Sequence, residues 1–133
     1  MFDVDICQER RVILFRFHGL LSPRDFDALD KLAAENKGAV PYDSIFDLTA
    51  IERVDLATNY VAARGDLPQA HKDRERIYVV QQDDLKLLVR LYAAYQENKG
   101  WRPPLVVATL DEALNRLGVN ASDFARYRST RAG

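Results

Sequence analysis

The sequence predicts a single α/β domain, a mostly parallel five-stranded sheet with helices packed on it. Three observations carry this. The chain has 133 residues, close to the usual size of one domain. Hydrophobic residues make up 47% and charged residues 29%, which excludes a disordered chain. Short apolar runs alternate with segments of helical period in the order β-β-α-β-α-β-α-β-α, and alternation of this kind makes parallel sheets. At this length a compact fold hides roughly two-thirds of its unfolded surface, so one core suffices without staples.

Phe2, Val4 and Ile6 alternate with Asp3 and Asp5, the period of a half-exposed strand. CQERR reads as a turn. VILFRF (12–17) is a second strand with apolar residues on both faces, which suits a central position. In the segment that follows, Ser22 can cap a helix, Pro23 fits its first position, and Asp25 suits its positive end. Phe26, Leu29, Leu32 and Ala33 supply its buried stripe, and Gly38 its end.

YDSIFDL (42–48) is the third strand. Asp55 is placed to cap a second helix over 56–64, ended by Gly65. Residues 66–76 form a charged loop, and IYVVQ (77–81) the fourth strand. Asp83 or Asp84 caps a third helix running to about Asn98. PLVVA (104–108) is the fifth strand, and Thr109 with Glu112 forms a capping box for a last helix over Ala113, Leu114 and Leu117, closed by Gly118. The domain is expected to span 1–118, with 119–133 a C-terminal tail. Arg126, Arg128 and Arg131 in that tail read as solvated charges on a frayed end rather than as a basic patch.

Charge and composition remove several functions. With 19 basic and 20 acidic residues the net charge is −1, which offers no broad positive field to nucleic acid. No apolar run approaches the ~20 residues of a membrane span. The acidic start, MFDVDICQERR, is unlike a signal peptide. A cytoplasmic location follows as the expectation, leaving the Asn120-Ala121-Ser122 sequon idle. Cys7 is the lone cysteine, so no disulfide forms within the chain. One cysteine and two distant histidines, His18 and His71, make no metal site, and both histidines read as structural or solvated. The glycines are isolated and cradle no phosphate, and no GxSxG elbow is present. Asp83 and Asp84 are adjacent, point apart, and sit where a helix start wants carboxylates. No catalytic residue and no cofactor is assigned, and the chain is expected not to be an enzyme.

The third helix carries more apolar surface than one sheet contact needs. Leu85, Leu88, Val89 and Tyr92 form a core stripe, while Leu87, Leu91 and Tyr95 widen it. Either neighbouring helices and the tail cover this extra surface, or it meets a second copy, another protein or an apolar ligand. Trp101 either extends the patch or plugs the core.

The element order, together with YDSIFDLTAIERVDLA, resembles the STAS family of sulphate-transporter and anti-sigma-factor-antagonist domains. RIYVVQQDDLKLLVRLYAAYQ followed by LVVATLDEALNRLG is similar to the bacterial SpoIIAA-like group, and the resemblance spans about 2–118. It implies a non-enzymatic regulatory module that docks a protein partner through the joint between the third strand and second helix, at Thr49, Asp55 and Thr58. In anti-sigma antagonists a serine at that joint is phosphorylated. Here Leu56 and Ala57 stand in its place, so the usual phosphoserine switch is not expected, and Thr58 reads as a helix residue bonding back to Asp55. The second implication is an apolar-ligand carrier or sensor like the architecturally similar SEC14-type domains, with the 85–95 face and Trp101 lining a cleft. That reading requires a cavity beyond ~300 Å³. A weaker third reading, a small-molecule enzyme, requires Arg16, His18, Asp47 and Tyr78 to converge at one end of the sheet.

Overall fold

The computed structural model describes residues 1–36, 38–68 and 73–129. The elements run β1 (Phe2–Cys7), β2 (Val12–Leu21), α1 (Pro23–Glu35), β3 (Asp43–Val54), α2 (Thr58–Gly65), β4 (Arg76–Val79), α3 (Asp83–Asn98), β5 (Leu105–Val107), α4 (Leu110–Leu117), a 3₁₀ turn at Ala121–Asp123, and β6 (Ala125–Ser129). The sheet has six strands in the order β5-β4-β3-β2-β1-β6. β2 through β5 pair in parallel, and β1 is antiparallel to both of its neighbours. The α/β class and the expected elements are therefore present, but the expected five strands become six.

The sixth strand corrects the reading of Arg126 and Arg128, while Arg131 lies outside the described residues. Asp3 and Asp5 of β1 line up beside β6, with Asp5 opposite Arg126. Arg126 Nε donates to Asp5 at 2.6 Å, and Arg128 pairs with Glu35. Opposite charges facing across an antiparallel pair support pairing, so these arginines bind the edge strand to the domain instead of fraying in water.

Strand order fixes where the helices lie. β2, β3, β4 and β5 step steadily toward one edge, so right-handed crossovers place α1, α2 and α3 on the same face. The core splits accordingly. On that face Phe2, Val4, Phe15, Phe17, Leu48 and Val80 meet Leu32, Leu85 and Val89 of the helices. On the other, Val12, Leu14, Ile45, Ile77 and Val79 meet Ala113 and Leu114 of α4. To reach β6 at the far edge, the chain after α4 crosses this second face, burying Val119 with Phe124 packed alongside.

Caps follow the expected chemistry in part. Asp25 accepts the Ser22 N–H at 3.0 Å, and Thr109 accepts the Glu112 N–H at 3.2 Å. Gly118 takes the left-handed conformation, φ 68°, that ends α4. Two helix starts differ from expectation. Ala57 rather than Asp55 stands at the N-cap position of α2, and Gln82 rather than an aspartate at that of α3, neither with a side-chain cap hydrogen bond, which leaves Asp83 and Asp84 in the first turn of α3. Cys7 is buried.

The largest difference concerns β3, which runs six residues past the expected end at 48. Its register against β2 slips after Arg16↔Asp47 and again after Gly19↔Ile51, each slip placing an extra residue on β3. Two bulges stretch the apolar repeat to Leu48, Ile51 and Val54, a spacing of three that does not look like a strand. Asp47 Oδ1 secures the first bulge, accepting the Thr49 N–H at 3.0 Å and its hydroxyl at 2.7 Å. β4 pairs only with residues 44–47, and beyond them the Gln82 amide donates to the carbonyls of Leu48 and Ile51 at 3.1 and 2.8 Å.

Candidate functional site

Between the sheet and the layer of α1, α2 and α3 lies an apolar cavity of about 800 Å³. Its floor is an aromatic ladder. Phe15, Phe46 and Tyr78 stand opposite one another on β2, β3 and β4, because each takes the same register position on a neighbouring parallel strand. Phe15 stacks on Phe46 with ring centroids 5.0 Å apart, and Phe46 on Tyr78 at 4.7 Å. Phe26 and Leu29 of α1, Leu56 and Tyr60 at the start of α2, and Leu88 and Val89 of α3 form the walls and roof.

Polar groups collect at the end of the cavity near the starts of β3 and β4. Arg64 is held by Asp30 through two hydrogen bonds of 2.7 and 3.0 Å and lies 5.1 Å over the Phe26 ring. Arg76 donates to the Tyr92 hydroxyl at 2.8 Å, to Gln96 Oε1 at 3.2 Å and to the Arg102 carbonyl at 2.9 Å. Burial pushes the Tyr78 hydroxyl well above its ordinary pKa, reinforced by Tyr92 and opposed by the charges of Arg76 and Arg64. Tyr60 is raised for the same first reason, against the pull of Arg64. The neutral phenols suit an apolar chamber.

Gln96 is fully buried and holds this end together. Its amide donates to the carbonyls of Gly65 at 2.6 Å and Leu67 at 3.2 Å, satisfying groups that the end of α2 leaves open. α2 and α3 approach so closely here that a Cβ on Gly65 would stand 2.5 Å from the Tyr95 Cβ. Sequence reasoning missed Arg76 and Gln96. Gln96 lies on the same helical stripe as Leu85, Val89 and Tyr92, and a polar residue on an apolar stripe is a signal the wheel contains.

The residues singled out from sequence fall elsewhere. Leu87 is 65% exposed on the second turn of α3, Leu91 is half-buried, and Tyr95 packs on Gly65. The cavity is lined instead by Leu85, Leu88, Val89 and Tyr92. Trp101, past the C-terminal end of α3, is half-buried and donates its backbone N–H to the Gln96 carbonyl. Leu87, Leu91 and Tyr95, each four residues on from the last, share one side of α3, and none of the four side chains lines the cavity. Thr49 sits at a β3 bulge, whereas Asp55 and Thr58 are exposed on either side of the α2 start, so the structure does not gather the three at one turn. The enzyme quartet also fails to converge. Tyr78 faces the cavity, while Arg16 and Asp47, paired in register, share the opposite face with the Arg16–Asp5 ion pair. His18 lies 3.9 Å from Asp3, and His71 is outside the described residues. Among the described residues no cluster of three or more His, Cys, Asp or Glu is arranged to hold a metal, and no helix is long and apolar enough to cross a membrane.

This arrangement, helices α1–α3 over one face of a sheet whose order is 5-4-3-2-1-6, is a SpoIIAA-like fold. The unphosphorylated anti-sigma factor antagonist SpoIIAA superposes with a TM-score of 0.61 at 15% identity, over 89% of this chain and 98% of that one. An uncharacterised DUF3478 protein with a SpoIIAA-like fold from Shewanella loihica PV-4 gives 0.54 at 14% identity, over 88% and 92%. Likeness at such low identity shows the fold. No protein-family model matches the chain, and no curated protein matches it at a significant level.

Proposed function

We propose that the protein is a non-enzymatic SpoIIAA-type binding module of the cytoplasm that senses or carries an apolar small ligand beneath its helical layer. The observation carrying this is the 800 Å³ cavity over the Phe15–Phe46–Tyr78 floor, within the range of about 300–1,000 Å³ occupied by small-molecule sites. Titration with the neutral probe diphenylhexatriene tests it. Saturable fluorescence at about one probe per chain is expected, weakened at least ~10-fold by Leu88→Trp or Ala33→Leu, which fill the cavity from different helices. Absence of saturable binding, or binding indifferent to both substitutions, overturns the reading.

A second reading, docking of a protein partner through the β3–α2 turn, is favoured by the position of Leu56. This residue lines the cavity while its neighbours Asp55, Ala57 and Thr58 are exposed. A ligand touching Leu56 presses on the surface a partner would meet, which couples sensing to docking without a phosphoserine. Leu87 offers a further apolar anchor for a partner or a second copy. Crosslinking in the native host should recover a partner that Asp55→Ala with Thr58→Ala loses. Capture unchanged by that pair, or by alanine at Thr49, speaks against this surface, and a monomeric sedimentation profile at high concentration speaks against a homodimer.

A further inference from the structure

A second, smaller cleft of about 310 Å³ opens where β4 and β5 begin, and it is lined by Arg74, Arg76, Arg102 and Arg116 around Glu75. Four arginines against one glutamate make this the basic corner of a chain whose net charge is −1. Glu75 is already engaged, accepting from Arg102 at 2.8 Å and from Arg116 at 3.1 Å, and Arg116 above all draws its pKa below the ordinary carboxylate value. Arg76 is different. Its partners, the Tyr92 hydroxyl, Gln96 Oε1 and the Arg102 carbonyl, are neutral acceptors, and among the described residues no carboxylate lies within ion-pair distance of it. A half-buried guanidinium with neutral partners keeps its charge available, and a carboxylate or phosphate is the group that matches it best. Arg76 also lines both spaces, the arginine cleft and the apolar cavity.

We propose that the ligand is an anionic amphiphile, its carboxylate or phosphate head at Arg76 in the arginine cleft and its chain over the aromatic floor of the cavity. This rests on the apolar-ligand reading and adds the head group. A neutral apolar ligand would leave the cleft unused, and a free anion would leave the cavity unused. Arg76 at the junction of the two spaces is what unites them.

Calorimetric titration of the full chain with decanoate and with decan-1-ol separates the possibilities. The expected result is that decanoate binds about tenfold tighter than the alcohol, the scale of a charge-assisted hydrogen bond. Salt should narrow this gap, because the attraction is screened, and Arg76→Gln should bring the two within about threefold. Inorganic phosphate should compete with decanoate and leave the alcohol untouched. If Arg76→Gln does not fold, the salt dependence of the wild-type protein and the milder Arg74→Gln supply the same comparison. Equal affinity for acid and alcohol, insensitive to salt, overturns the anionic head while leaving the apolar cavity standing. Binding of neither probe overturns the cavity reading, and the proposal with it. Phosphate that binds without displacing decanoate shows a soluble-anion site separate from the cavity, which also overturns the proposal.

Discussion

The two faces of the sheet bury similar strands and end up different. Under α4, Ile45, Ile77, Val79 and Leu14 are wholly buried against Ala113 and Leu114, small and branched side chains filling a thin layer. Under α1–α3 the floor is built of stacked aromatic rings and the space above it stays open to about 800 Å³. Aromatic ladders prop a helical layer away from the sheet, whereas valine and isoleucine let a helix settle onto it. One face is closed and the other keeps a space between sheet and helices.

Substitutions should respond to that difference. Ile45→Ala, on the closed face, should cost ~2–5 kcal/mol in urea unfolding, since it opens a hole in close packing. Gly65→Ala should cost ~1–3 kcal/mol, because its new Cβ meets Tyr95 and forces α2 from α3. Leu88→Ala, on the open face, should cost less than about 1.5 kcal/mol, since its neighbours already border a void and fewer contacts are lost. Equal losses at Ile45 and Leu88 would mean that both faces are closed.

The smallest effect concerns pH. The folded pKa of Tyr78 lies above its ordinary value of 10.0, chiefly through burial. A raised pKa contributes stability that is complete below the unfolded value and is lost as pH rises past it. Unfolding midpoints should therefore fall above about pH 10, and Tyr78→Phe should flatten that fall. Tyr60, shifted the same way, keeps part of the slope. A wild-type midpoint flat to about pH 11 would show that the floor is open to water.

The order of helices and first five strands was legible because it rests on local chemistry, such as the Ser22-Pro23 start, the Thr109 cap and the left-handed Gly118. The far half of β3 was not, since two bulges replace the period of two with the Leu48, Ile51, Val54 spacing. β6 is short and rich in arginine, and its partner charges lie 121 residues away, as in Arg126 with Asp5. The pairing is a matter of register, which apolar periodicity does not carry. The site divides the same way. Phe15 and Phe46 read as ordinary strand residues and Tyr78 as a candidate for a strand-end site, and only the alignment of three strands makes them a floor. Helical spacing pointed to the stripe through Leu87, Leu91 and Tyr95 because it looked surplus; the residues that line the cavity were those read as core.

The measurement that tests the central claim most directly is the mass of the protein purified from its own host, native and then denatured. A bound ligand should add a small-molecule mass that is lost on denaturation and is absent from the Leu88→Trp variant. The bare chain mass in both states, together with no saturable uptake of diphenylhexatriene by that same preparation, would contradict a ligand-holding cavity.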